Sequence, residues 1–266
     1  MAYDDTDFML RDELRPVRLQ LELLKPELVQ QDHNINSTVV VFGSTRIPDT
    51  ATATARLEKA EAESATDPSN TILARNVKIA RRILEKTHYY DEARKLGRII
   101  TEQTNNMGDC HMVVITGGGP GIMEAANRGA FDADGKSIGL NIVLPREQCP
   151  NPYISPELSF QFHYFAIRKM HFLMRARALV AFPGGYGTMD ELFETLTLIQ
   201  TKKIKPLPVI LFGETFWNRV VDFDFLVSEG VIAPEDKNLF HCVEKAAEAW
   251  DIIREFYYNN KPEPTP

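Results

Sequence analysis

The chain has 266 residues, 44% of them hydrophobic and 25% charged, with a formal net charge of −7. That length and apolar content suffice for a full core, and the acidic balance argues against a nucleic-acid polymer as partner. Three widely spaced cysteines without a CxxC pair (Cys110, Cys149, Cys242) signal neither a disulfide framework nor a zinc site. The acidic start, Met1 to Phe8, lacks the apolar stretch of a secretory signal, and no apolar run approaches the roughly 18 residues of a membrane span. A cytoplasmic protein without membrane contact is expected.

Residues 1–36 read as a polar arm in which Pro16 and Pro26 bracket a mixed leucine pattern, a short extended or helical segment packing on the main body or on a partner subunit. Thr38 to Phe42 is a β-branched run that ends at Gly43-Ser44, as the buried first strand of a parallel sheet does. Residues 49–70 are rich in Ala, Thr, Glu and Asp and read as an exposed insertion, part helix and part loop. Residues 71–106 are helical in composition, with Tyr89, Ala93, Leu96, Ile99 and Ile100 on one apolar face. A second strand is predicted over Met112–Ile115, a helix over Ile122–Phe131, and a third strand over Ser137–Val143, closed by Pro145.

Four prolines mark a loop over 145–158, and Ser159–Phe162 reads as a short strand. Phe165–Arg177 is predicted as a helix, Leu179–Phe182 as a strand, Thr188–Gln200 as a helix and Leu207–Phe212 as a strand. Phe216–Ser228 and Ala246–Tyr257 are predicted as closing helices, and residues 259–266 as a flexible tail. Strands alternating with helices give an α/β class with a doubly wound parallel sheet. Ligands of such sheets bind beyond the carboxyl ends of the strands. Here those ends carry Gly43-Ser44, Gly117 to Gly121 and Gly184 to Gly187.

The turn Phe182-Pro183-Gly184-Gly185-Tyr186-Gly187 opens into a helix with acids near its start. Glycines let backbone N–H groups approach an anion, and a helix N-terminus adds partial positive charge, so a phosphate fits there. Gly117 to Gly121 is a second such cradle, or merely a tight connection. It matches neither GxGxxG, since Ile122 stands in place of the third glycine, nor a Walker A loop. Thr188-Met189-Asp190-Glu191 also fits a capping box, in which Thr188 and Glu191 would only satisfy orphan N–H groups. Arg168, Lys169, Arg175 and Arg177 concentrate positive charge in an otherwise acidic chain, suited to phosphate or carboxylate, although a solvated basic pair is the plainer reading of Arg168-Lys169. His163 and His171 read as packing or surface histidines, and no nucleophile elbow is present.

Three segments together resemble the Lonely Guy (LOG) family, whose members were long labelled possible lysine decarboxylases. They are Thr116-Gly117-Gly118-Gly119-Pro120-Gly121-Ile122-Met123-Glu124-Ala125-Ala126-Asn127, then Arg168-Lys169-Met170, then Pro183-Gly184-Gly185-Tyr186-Gly187-Thr188-Met189-Asp190-Glu191. The resemblance covers roughly residues 38–230, and the arm and the insertion at about 49–86 look like the longer bacterial members. It implies a Rossmann-like fold in a single domain over residues 37–258, in a homodimer or an assembly of dimers, with the site near the subunit interface.

The implied activity is hydrolysis of the N-glycosidic bond of AMP-like or N6-modified (cytokinin) nucleoside 5′-monophosphates to free base and ribose 5-phosphate. The alternative is a nucleotide-binding or sensing module of the same fold with little turnover; a carrier of a phosphorylated cofactor is a third. By motif, Arg168 and Glu191 are the implied catalytic pair. Ser44, Gly118, Gly119, Gly121, Glu124, Lys169, Gly185, Gly187 and Thr188 are the implied substrate- and phosphate-binding residues, with Asn127 a further candidate for ribose or base. The resemblance implies no cofactor and no metal, and nothing in these motifs provides a setting for a pyridoxal-phosphate lysine.

Overall fold

The computed structural model describes residues 1–104, 111–143 and 149–259 of the chain. Cys110, Pro145 and most of the expected tail, residues 260–266, lie outside the described residues. Among the described residues, seven parallel strands form one sheet in the order β4-β3-β2-β1-β5-β6-β7. They are β1 (Thr38–Phe42), β2 (Val113–Thr116), β3 (Ser137–Ile142), β4 (Ser159–Phe162), β5 (Ala176–Ala181), β6 (Val209–Phe212) and β7 (His241–Val243). The helices are α1 (Thr6–Met9), α2 (Arg15–Asp32), α3 (Thr50–Thr66), α4 (Thr71–Leu84), α5 (His88–Thr104), α6 (Ile122–Asp132), α7 (Phe165–Met174), α8 (Tyr186–Gln200), α9 (Glu214–Val220), α10 (Phe223–Ser228) and α11 (Ala246–Asn259). No helix among the described residues is long and apolar enough to cross a membrane.

The chain winds outward from β1 to β4, then returns to pair β5 on the other side of β1 and winds outward again. That reversal between β1 and β5 creates the crevice in which doubly wound sheets bind ligands. β1 is buried along its whole length, as expected for a strand with helices on both faces. One face of the sheet packs Val39, Val41 and Phe182 against Tyr90, Ala93 and Leu96 of α5, Ala126 of α6 and Trp250 of α11. The other packs Val40, Phe42 and Leu179 against Phe172 of α7, Leu192 of α8 and Trp217 of α9, with Val29 of α2 at its margin.

The structure departs from the expected elements at several places. The helix expected over Phe165–Arg177 ends at Met174, and β5 begins at Ala176. Long-range pairing overrides local propensity there, because Thr38 N–H donates to the Arg175 carbonyl and Arg177 Nε to Ser37 Oγ. The helical stretch from residue 71 is two helices, broken between Leu84 and His88. The single helix expected over Phe216–Ser228 is also two, restarted where the Asp222 carboxylate accepts from Phe225 N–H at 2.9 Å. The arm contains a long helix, α2, with Pro16 in its first turn and a buried Pro26 inside it. α11 runs through Asn259, where the tail was expected to start.

Candidate active site

The exits of the three central strands are tied to one another by backbone hydrogen bonds. Ser44 N–H donates to the Pro183 carbonyl at 3.0 Å, and Ile122 N–H donates to the Ser44 carbonyl at 3.2 Å. Above them lies a cavity of about 620 Å³. One part of its wall holds Ser44, Arg168, Gly185, Gly187, Thr188 and Glu191. Another part is formed by Arg46, Ile79, Ile83, Lys86 and Phe216.

α8 starts at Tyr186, two residues before the expected Thr188, with Gly185 as its N-cap and no side chain capping it. Thr188 therefore sits inside the first turn, and the capping-box reading of Thr188 and Glu191 is overturned. A glycine cap has no side-chain oxygen to offer, so the first N–H groups of α8 and their partial positive charge are left for a ligand. A side chain at Gly185 or Gly187 would point into open space, and Tyr186 between them is 94% exposed. The Thr188 side chain is buried against Gly184.

Glu191 lies on the same helix, one turn deeper, and is only 7% exposed. Burial pushes its carboxyl up to about 7, and Glu194 and Asp190 add to this, while Lys169 and Arg168 pull it down. Freed from capping and poised near neutrality, it has the properties of a general acid or base.

Arg168 comes from α7. Its Nε donates to the Leu140 carbonyl at 2.7 Å and its Nη2 to the Gly117 carbonyl at 3.4 Å, and its guanidinium lies 5.1 Å from the Phe172 ring centre. A Cβ on Gly117 would stand 2.5 Å from Nη2, so only glycine lets the guanidinium lie across the β2 exit. Burial works against the charge of Arg168, and Glu191 favours it. No ion pair among the described residues joins Arg168 to Glu191; backbone carbonyls, not the carboxylate, fix the guanidinium.

The remaining expected site residues are placed differently. Lys169 faces α8 and pairs with Asp190 at 2.8 Å and Glu194 at 3.0 Å. Burial opposes its charge, but the two acids outweigh burial and raise its affinity for the proton. Gly118, Gly119 and Gly121 are buried behind the cavity and do not line it. The carbonyls of Gly118 and Gly119 accept from the Asn151 amide at 3.2 Å each, so this turn is braced by the loop before β4. Glu124 accepts from Tyr90 Oη at 3.0 Å, away from the cavity wall. Asn127 is fully buried and accepts from Thr116 Oγ1 and Asn151 Nδ2 at 2.7 and 3.0 Å, which makes it a structural residue. Sequence reasoning missed Arg46, Lys86, Ile79, Ile83 and Phe216. Arg46, two residues beyond Ser44 at the β1 exit, was the one of these within reach of a motif argument.

The family described as possible lysine decarboxylases matches residues 123–253, which include α7, β5 and the glycine turn before α8. The cytokinin riboside 5′-monophosphate phosphoribohydrolase LOG of Oryza sativa subsp. japonica is 30% identical over 166 residues, 61% of this chain. The chain is similar to the LOG family. It spans 65% of the length of that rice relative. The LOG1 cytokinin riboside 5′-monophosphate phosphoribohydrolase of Arabidopsis thaliana is 28% identical over 173 residues, covering 64% of this chain and 75% of that one. Among solved structures, the molybdenum cofactor binding protein of Rippkaea orientalis superposes with a TM-score of 0.45 at 22% identity, over 63% of this chain and 87% of that one.

Proposed function

We propose that this chain is a member of the LOG family and hydrolyses the N-glycosidic bond of nucleoside 5′-monophosphates, with AMP-like or N6-modified adenine nucleotides as substrates. The observation that carries this reading is a buried carboxyl raised to about 7, on the helix whose uncapped N-terminus opens into the same cavity. The relatives named as phosphoribohydrolases support it.

In this mechanism, the 5′-phosphate sits on the N–H groups of Gly185 to Thr188, with the Thr188 and Ser44 hydroxyls beside it. The ribose then lies between Glu191 and Arg168. The bond from C1′ to the base nitrogen breaks, and its electron pair leaves on that nitrogen. Ionised Glu191 stabilises the oxocarbenium-like sugar and takes a proton from the attacking water. The water oxygen bonds to C1′, and the proton passes on to the base. Arg168, held by two carbonyls, presents its remaining donors to ribose hydroxyls without having to be reordered. Because Glu191 must be ionised, turnover rises with pH through about 7. The protein works as a homodimer or an assembly of dimers in this reading.

The test is a nucleotide panel of AMP, other monophosphates and N6-isopentenyl-AMP, with free base and ribose 5-phosphate as products. Release of base from at least one nucleotide is expected, and none from any would refute the reading. Tight nucleotide binding by calorimetry without hydrolysis would make the chain a binding or sensing module.

A further inference from the structure

The helix that carries Arg168 is gripped from outside at both ends. α2 packs along α7. At the start of α7, both carboxylate oxygens of Glu22 on α2 are used: one accepts from His163 N–H at 3.0 Å and the other from Tyr164 N–H at 3.1 Å. Tyr164 is the N-cap of α7, and no side chain of α7 itself caps that end. A carboxylate there both satisfies orphan donors and complements the helix dipole. At the other end, Arg175, the C-cap of α7, makes a two-pronged ion pair with Glu27 on α2, with Nη2 2.6 Å from Oε1, and its Nε donates to the Ile35 carbonyl at 2.9 Å. Arg18 of α2 adds a bond to Tyr164 Oη at 3.4 Å. Arg168 lies between these two grips, one turn after Tyr164.

Its neighbour Lys169 ties α7 to α8 through Asp190 and Glu194, the residues flanking Glu191. α7 is thus a strut between the arm and α8, and its placement sets Arg168 against Glu191.

We propose that the N-terminal arm is a positioning element for the reaction, in which Glu22, with Glu27, fixes α7 so that Arg168 meets Glu191 across the ribose. The inference rests on reading Arg168 and Glu191 as the reacting pair. Glu22 touches no substrate and acts through α7. Its contact gives it a signature that simple stabilisation lacks. The charged groups bearing on Glu191 are Lys169 and Arg168 from α7 and Asp190 and Glu194 from α8. If α7 drifts and Arg168 recedes, Glu191 holds its proton to higher pH. Deleting the Glu22 charge acts directly in the opposite sense, since losing a negative charge favours ionisation of other carboxyls. An upward shift is therefore diagnostic of displacement.

The experiment compares the wild type with Glu22→Ala and Glu22→Gln in kcat, KM, pH profile and thermal unfolding, using whichever nucleotide the panel shows to be turned over. For Glu22→Ala, kcat is expected to fall about tenfold or more, as misplacement of a reacting group does. KM changes less, because the α8 cradle is untouched, and the rising limb of the pH profile moves to higher pH. Glu22→Gln keeps an oxygen acceptor for α7 and recovers most of the rate. Wild-type kcat and limb in Glu22→Ala would overturn the proposal. So would a loss of kcat in proportion to a loss of folded protein with the limb unmoved. If Glu22→Ala does not fold, Glu22→Asp, whose shorter side chain cannot reach both N–H groups from α2, is read in its place, and an unshifted limb at wild-type rate in that variant overturns the idea. If no nucleotide is hydrolysed, the proposed function fails on its own. Carbon NMR titration of the Glu191 carboxyl in wild type and Glu22→Ala then reads the arm directly: an upward shift supports it and none overturns it.

Discussion

Glu191→Gln separates what burial of this carboxyl costs from what the carboxyl does. In the fold it releases its proton near pH 7, against the usual carboxylate value of 4.5, chiefly because it is desolvated. The unfolded chain carries the ordinary value. Below pH 4.5 both states are protonated and the group costs nothing relative to glutamine. As pH rises, the unfolded state ionises first, so stability falls, and the cost is complete once pH exceeds about 7. A rise from 4.5 to about 7 corresponds to about 3 kcal/mol. Glu191→Gln, of nearly the same shape, is therefore expected to gain about 3 kcal/mol at pH 8 and under about 1 kcal/mol at pH 5. For a chain of this length, the gain at pH 8 appears as roughly 6–10 °C in the unfolding midpoint. The same variant loses base release by at least about 100-fold. Thermal unfolding at the two pH values, with turnover at pH 8, checks both halves. An equal gain at both pH values, or none at pH 8, would refute desolvation as the cause, and near-normal turnover would remove Glu191 from the chemistry.

Three further perturbations probe the frame around it. Gly187→Ala places a methyl group in the open space at the α8 N-terminus; stability is expected unchanged or raised by up to about 1 kcal/mol. Binding of ribose 5-phosphate, by calorimetry, weakens about tenfold, or roughly 1.4 kcal/mol. Arg168→Lys keeps the charge but cannot reach the Leu140 and Gly117 carbonyls with one planar fork, and kcat is expected to fall about 100-fold while circular dichroism stays native. Gly118→Ala forces a Cβ to 2.1 Å from Asn141 Oδ1 at a φ of +74°, and denaturant unfolding is expected to show a loss of about 1–3 kcal/mol without a direct effect on ligand contacts.

The sheet was readable because its central strands are buried on both faces and so are apolar throughout, as in Thr38 to Phe42. β7 was not readable: of His241, Cys242 and Val243 only Val243 is buried, and three residues at a sheet edge leave no pattern. Nor was the start of β5, where Ala176 and Arg177 have helical propensity and the strand exists only because Thr38 pairs with Ala176. The Thr-x-x-Glu pattern misled for a related reason. A capping box needs a threonine outside the helix, and α8 had already begun at Tyr186.

The catalytic candidates were legible because each sits in a contiguous motif, whereas the opposite wall of the cavity is assembled from distant segments. Ile79, Ile83 and Lys86 come from the insertion and Phe216 from beyond the exit of β6, and no local spacing links the insertion to Phe216. The role of the arm was hidden for the same reason: Glu22 and His163 are 141 residues apart, and the contact is to backbone N–H groups, which no side-chain motif reports. The structure also reverses the sense of one motif pairing. Arg168 and Lys169 are adjacent in sequence but divide on α7, Arg168 toward the β2 and β3 exits and Lys169 toward the acids of α8. The two cations thus approach Glu191 from one helix while each is held by a different set of partners. A displacement of α7 must move both, which is why the placement of that helix, and not either charge alone, sets how far the two cations offset the desolvation that raises the carboxyl's proton affinity.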